Sequence, residues 1–305
     1  MRRTRTLAGI GIAAAALLTL TACNSGTPSS TGAPEGGDEG DSSSSTPWTV
    51  LTDVSIDGSP TFDRIESSGK IKVGVKEDQP GLGYLDPVTG DRTGFDVDIA
   101  RWMAASLGVD PEKIEFQAIA SANREQAIVN GDIDYYVGTY SITDKRKEQI
   151  SFAGPYFVTG QGLLVAADSD IKSVDDLDSS TTVCSATGST PIQNIKTNYP
   201  DVPTKEYDTY SKCVEDLKNG QVDAVTTDEA ILIGYAAQDP DNLKVVGEPF
   251  SEERYGIGVA KGDDALVEYF NTQLTDGGEI WQQIFDNNLG ASGVKATQPE
   301  VDPVG

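Results

Sequence analysis

Arg146 follows a strand end running from Val137 to Ser141 and falls in the first turn of a helix that Thr143 would cap. There its planar fork could grip a carboxylate at two points beside the Ser141 hydroxyl. Thr187-Gly188-Ser189-Thr190-Pro191 reads as a strand-to-helix turn with proline at the first helical position and backbone N–H groups turned outward, a site suited to an anion. Asp228 follows a strand from Val222 to Thr226 and opens a helix. Lys76 ends an early strand, and Ser121 and Arg124 stand ahead of a helix from Glu125 to Val129. Two such cations aimed at one cleft would add to Arg146 and leave positive charge uncompensated unless a ligand supplies carboxylate. Each residue also has an ordinary reading: a solvated helix arginine, a capping turn, an N-cap aspartate, a surface lysine or arginine.

Composition narrows the chemistry further. The chain has no histidine, which removes the usual base of a catalytic triad, the commonest zinc ligand and a near-neutral pH switch. No cofactor or metal is implied. An enzyme on this scaffold would need another acid or base, for which Glu77 and Asp78 are the candidates. With 23 Lys+Arg against 48 Asp+Glu the formal charge is −25, so nucleic acid and acidic membrane surfaces are poor partners.

The elements that must position these residues follow from the pattern. Ile128 to Val137 and Asp216 to Val225 repeat one plan, a helix stopped by Asn-Gly and followed by a β-branched run suited to a buried strand. Each half opens with a short strand, Ile71 to Val75 and Thr182 to Ser185, that runs through a loop into an amphipathic stretch. Strands alternating with helices in two copies predict an α/β fold of two lobes, each a mainly parallel sheet flanked by helices. The chain is expected to cross between them at Thr159 to Gly162 and again near Ser251 to Gly256, two hinge crossovers. Lobe 1 is then 48–162 with 253–305, and lobe 2 is 163–252. Ala291 to Gly305 lacks periodicity and reads as a loose tail.

Arg2, Arg3 and Arg5 precede an uncharged run from Leu7 to Leu20 that is short for a membrane span. Residues 1–22 therefore read as a signal peptide. Its end, Leu20-Thr21-Ala22-Cys23, resembles the lipobox at which lipoproteins are cleaved and lipidated on cysteine, which implies a chain anchored to the outer face of the cell membrane. Removal of residues 1–22 takes away three arginines and leaves a formal charge of −28. Residues 23–47 are Ser, Thr, Gly, Pro and acid with almost no apolar side chain, a tether that cannot offset its own ordering entropy. With Cys23 lipidated, Cys184 and Cys213 remain as a pair, for which a disulfide in an oxidising compartment is the economical reading and two buried thiols the alternative.

Phe95-Asp96-Val97-Asp98, Ser141 to Arg146, Phe152-Ala153-Gly154-Pro155-Tyr156 and Asp223 to Asp228 resemble signature blocks of the polar amino-acid substrate-binding proteins of ABC transporters. Gln79 to Gly83, Ser121 to Arg124 and the pair Cys184/Cys213 resemble the glutamate-binding branch found in actinobacteria. The resemblance implies a periplasmic-binding-protein-like fold, no enzymatic activity, L-glutamate as ligand, ABC permease subunits as partners and a monomeric state. It puts Lys76, Ser121, Arg124, Thr139, Ser141, Arg146, Thr187, Gly188 and Asp228 around the ligand. Arg146, Thr187 and Gly188 would take the α-carboxylate, Asp228 the α-ammonium, and Lys76 and Arg124 the side chain. Aspartate, glutamine or asparagine as ligand, or an amino-acid-sensing module in place of a transport receptor, are the alternatives.

Overall fold

A computed structural model describes residues 46–304; the signal segment, Cys23 and the tether up to residue 45 lie outside the described residues. Helix α1 (Pro60–Ser68) begins where Ser59 accepts the Phe62 N–H and ends at Gly69, whose φ of 64° only glycine adopts freely. Then come β1 (Ile71–Val75), a small antiparallel flap of β2 (Asp78–Gln79), β3 (Gly83–Leu85) and β4 (Arg92–Thr93), and α2 (Phe95–Ser106). The strands β5 (Ile114–Ala118), β6 (Tyr135–Tyr136) and β7 (Ile150–Thr159) alternate with α3 (Arg124–Val129) and α4 (Asp144–Lys147). Beyond Gly160 lie β8 (Gln161–Ala166), β9 (Val183–Ala186), α5 (Thr190–Asn198), β10 (Thr204–Tyr207), α6 (Tyr210–Lys218), β11 (Ala224–Asp228), α7 (Glu229–Gln238) and β12 (Leu243–Val246). The chain closes with β13 (Glu253–Ala260), α8 (Asp264–Asp276) and α9 (Gly278–Asn288).

Two five-stranded sheets result, ordered β5-β1-β6-β13-β7 and β10-β9-β11-β8-β12. In each, the first three strands are parallel, as the sequence suggests. The fourth, β13 in one sheet and β8 in the other, runs antiparallel to its neighbours. Those two strands arrive directly from the other sheet, with no helical crossover to return them in the parallel sense. The sequence repeat has a physical counterpart. After each Asn-Gly stop, Asp134 and Asp223 accept a backbone N–H at the start of the neighbouring parallel strand, from Lys72 at β1 and Thr182 just before β9, both at 2.7 Å.

The two crossovers touch at Gly160. A Cβ there would lie 2.4 Å from the Ser251 carbonyl oxygen, and the Phe250 N–H donates to the Gln161 carbonyl at 2.9 Å. Beneath the first sheet, Phe95, Phe157, Trp281 and Phe285 pack ring to ring, and Trp281 Nε1 donates to the Tyr156 carbonyl at 2.7 Å. Each such buried aromatic contributes on the order of 2–3 kcal/mol. The second sheet has its own cluster of Leu163, Val165, Val183, Ile195 and Ala224. Cys184 on β9 and Cys213 on α6 form a disulfide.

The C-terminal segment is docked, not loose. Its Asp302 donates its N–H to the Gly154 carbonyl at 2.7 Å, pairs with Arg254 at 2.6 Å and accepts Asn271 Nδ2 at its carbonyl. Val294, Ala296 and Val301 pack against the core. Main-chain hydrogen bonds and scattered apolar contacts hold it, and these leave no periodic trace in the sequence.

Candidate functional site

The candidate residues stand at the carboxyl ends of the parallel strands of both sheets, the edge where open α/β sheets present their ligand crevice. Lys76 follows β1, is buried, and donates Nζ to Ser121 Oγ at 2.8 Å. Arg124, at the head of α3, spends Nε on the Ser121 carbonyl at 3.1 Å and Nη1 on the Thr139 carbonyl at 3.2 Å. Thr139 has φ 45°, unusual for a residue with a branched Cβ. Three partners hold it there: Asp96 Oδ2 accepts its N–H at 2.9 Å, the Gln79 amide meets its hydroxyl, and Arg124 takes its carbonyl. Asp96 also accepts the Tyr156 hydroxyl at 2.8 Å. Burial raises its carboxyl to about 6, against the lowering effect of these two donors.

Arg146 is buried on α4, which Thr143 caps by accepting the Arg146 N–H. Its Nε pairs with Glu125 at 3.1 Å, Nη1 donates to the Ser141 carbonyl at 2.7 Å, and Nη2 reaches across to the Gly188 carbonyl at 3.1 Å. The remaining guanidinium N–H groups are available to an incoming acceptor. Tyr140 lies between the two arginines, with Arg124 4.3 Å and Arg146 4.9 Å from its ring centre. A π-face of this kind offsets part of the repulsion between buried like charges.

From the second sheet come Thr187, Gly188 and Asp228. Thr187 donates its backbone N–H to Tyr207 at 2.8 Å, extending the β9–β10 pairing. Gly188 has φ 78°, and a Cβ on it would lie 2.7 Å from Ala122 Cα in the opposite lobe. Ser141 Oγ meets Thr190 Oγ1 at 3.2 Å across the same gap. Asp228, last in β11 and N-cap of α7, accepts the Tyr255 hydroxyl on Oδ2 at 2.6 Å. Its other oxygen, Oδ1, is buried with no hydrogen-bond partner among the described residues, and so is the neighbouring Thr227 hydroxyl.

Charge is concentrated here. Burial first, then Arg124, pushes Lys76 down to about 7, with Asp78 acting in the opposite sense. Burial and Arg124 also lower Arg146. Burial, then Glu253, raises Asp228 well above its ordinary value, while the Tyr255 hydroxyl, Arg124 and Arg146 act to lower it. Beside Lys76 a cavity of about 180 Å³ runs between the lobes, lined by Val75, Glu77, Asp78, Ile119, Asp208 and Thr209 among others. Among the described residues no group of three or more Cys, Asp and Glu is placed to hold a metal ion.

The geometry therefore gathers eight of the sequence-selected residues around one inter-lobe gap and leaves Thr187 engaged through its backbone. It adds Tyr140, Glu125, Tyr255 and Glu253, which accepts the Thr190 hydroxyl at 2.8 Å. Sequence reasoning passes over these. Glu125 beside Arg124, and Tyr140 between two selected residues, were the available signals.

A profile of the bacterial extracellular solute-binding proteins, family 3, matches residues 71–285. The chain belongs to this family. Its members are transport receptors, not enzymes, which sets aside Glu77 and Asp78 as an acid–base pair. The chain is 44% identical over 237 residues to a glutamate-binding protein of Corynebacterium efficiens, covering 73% of this chain and 80% of that one. It is 46% identical over 204 residues to a glutamine-binding protein of Geobacillus stearothermophilus, covering 67% and 78%. Among solved structures, the cysteine-binding protein of Campylobacter jejuni superposes with a TM-score of 0.73 at 28% identity, over 78% of this chain and 99% of that one. The two-lobed α/β architecture of this family 3 protein is thus shared with solved amino-acid receptors.

Proposed function

We propose that the chain captures L-glutamate between its two lobes and delivers it to an ABC permease. The carrying observation is the buried Oδ1 of Asp228, without a hydrogen-bond partner among the described residues, in a carboxyl on which the buried Arg124 and Arg146 act, with a third buried cation, Lys76, beside Arg124. An α-amino acid supplies the ammonium that Oδ1 lacks and a carboxylate for Arg146, with the Gly188 turn completing the grip. The two cations left over, Lys76 and Arg124, match a second carboxylate, which glutamate has and glutamine lacks. Ser121, Thr139 and Ser141 orient these cations and offer polar groups to the ligand, and Thr187 contributes from the facing turn. The similarity to a glutamate-binding protein supports the same ligand.

In this reading residues 48–162 with 253–305 swing against 163–252 about the paired crossovers at Gly160. Contacts from both lobes make the ligand favour the closed state by its differential affinity. Cys23 carries the lipid that holds the receptor, a monomer, on the outer face of the membrane.

Calorimetry of the domain from residue 46, unfolded and refolded to strip carried ligand, against a panel of amino acids tests the assignment. Glutamate should bind tightest; no binding by any amino acid would overturn it. Glutamine is the second reading, favoured by the 46% identity to a glutamine-binding protein, and it wins if the panel ranks it first. Mass spectrometry of membrane-extracted protein should show a diacylglycerol-modified N-terminal cysteine; an unprocessed chain recovered wholly from the medium would remove the anchor.

A further inference from the structure

Asp78 belongs to the β2 flap of the first lobe, yet its side chain serves the second. Helix α6 has no side-chain cap from its own Thr209. Instead the Tyr210 and Ser211 N–H groups, two of the orphan donors at that helix start, donate to Asp78 Oδ2 at 2.8 and 3.1 Å. The Tyr235 hydroxyl, from α7, donates to the Asp78 carbonyl and lies 3.3 Å from Oδ2. One residue earlier, Gly234 packs so closely on the flap that a Cβ would lie 2.3 Å from the Pro80 carbonyl oxygen. The flap thus meets two helices of the opposite lobe through a fitted contact.

We infer that Asp78 is a positioning residue for capture, a latch that caps α6 only when the lobes are together and so sets affinity without selecting the ligand. A negative group at a helix N-terminus interacts favourably with the aligned peptide dipoles. When the lobes part, water replaces each partner, so the latch contributes only to the closed form. Because a ligand held from both sides binds the closed form, its apparent affinity scales with the closed population. The inference rests on the lobe closure proposed above, and not on which amino acid is bound.

Asp78→Ala removes two hydrogen bonds to a carboxylate and should weaken binding about 10-fold. That variant also removes negative charge near Lys76, so Tyr235→Phe, which alters no charge, reads selectivity. It should weaken glutamate and glutamine by the same factor, roughly 2- to 5-fold, in calorimetry. In hydrogen exchange, the Tyr210 and Ser211 amides should become protected when wild-type protein is saturated with its amino acid, and should stay unprotected in saturated Asp78→Ala. Affinities unchanged in both variants, or amides with no ligand-dependent protection in the wild type, would overturn the latch. Failure of every amino acid to bind wild-type protein would sink the proposed function alone. Should Asp78→Ala not fold, Tyr235→Phe carries the test.

Discussion

Tyr255 gives its hydroxyl hydrogen to Asp228 at 2.6 Å and leaves the second carboxylate oxygen buried without a partner among the described residues. One oxygen is thus fixed and the other held ready for a donor.

Asp228→Asn should therefore weaken every amino acid by about 30- to several-thousand-fold, the range for truncating one partner of a desolvated charge pair. Stability should move the other way. Burial raises this carboxyl above its unfolded value, so the folded state holds the proton more tightly, and the group's contribution falls as pH rises above about 4. The ligand-free variant should hence melt no lower than wild type at pH 7. Calorimetry beside thermal unfolding checks both halves, and a variant that binds normally would refute the role.

Arg124 and Arg146 share the ring of Tyr140 but have different partners. Arg124→Met should weaken glutamate far more than glutamine and narrow the gap between them. Arg146→Met should weaken both by similar factors, because the α-carboxylate is common to them. Equal ratios for the two variants in competition binding would contradict this division of labour.

Lys76 gives the protein a pH signature without histidine. Burial and Arg124 lower it to about 7, and a ligand carboxylate beside it would raise it again. Glutamate binding above pH 7 then requires proton uptake at Lys76, so its affinity relative to glutamine should fall with rising pH, by up to about tenfold per unit. Glutamine, with no second carboxylate, should lack this uptake, while any proton that Asp228 gives up to the ammonium is common to both ligands. Titrations at pH 6 and 8.5, each in two buffers of different ionisation enthalpy, read the uptake directly; parallel profiles for the two ligands would exclude Lys76 as the discriminating group.

The Cys184–Cys213 bridge closes a loop of sequence separation 29. Chain-entropy reasoning gives it roughly 3–4 kcal/mol. Replacing both cysteines with serine should lower the denaturant midpoint accordingly with little effect on Kd, since the bridge ties β9 to α6 within the second sheet's own lobe. An unchanged midpoint would show that the bridge adds no net stability, against the chain-entropy expectation.

Much of this architecture was legible because its signals are local. Asn130-Gly131 and Asn219-Gly220 stop their helices with glycines at φ 72° and 65°, and the segments after them hold β6, reduced to Tyr135–Tyr136, and β11. Lys76 and Arg124 stood out as cations in a strongly acidic chain. What stayed hidden depends on groups far apart in sequence: Asp96 holding Thr139 in its left-handed conformation, Tyr140 receiving two guanidinium groups, and the antiparallel β8 and β13. The docking of the tail leaves no local signal for the same reason, since three of its polar contacts converge on one residue, Asp302, and reach partners far away in sequence.

Gly188 and Ala122 meet backbone to backbone, with no room between them for even a methyl group. In the closure proposed above, the travel of the two jaws would end here on main chain, whatever side chains stand elsewhere along the gap. Exchanging those side chains can change which charge is welcomed while the stop stays where it is. A single added carbon at position 188, by contrast, would act as a wedge, denying entry to every cargo alike.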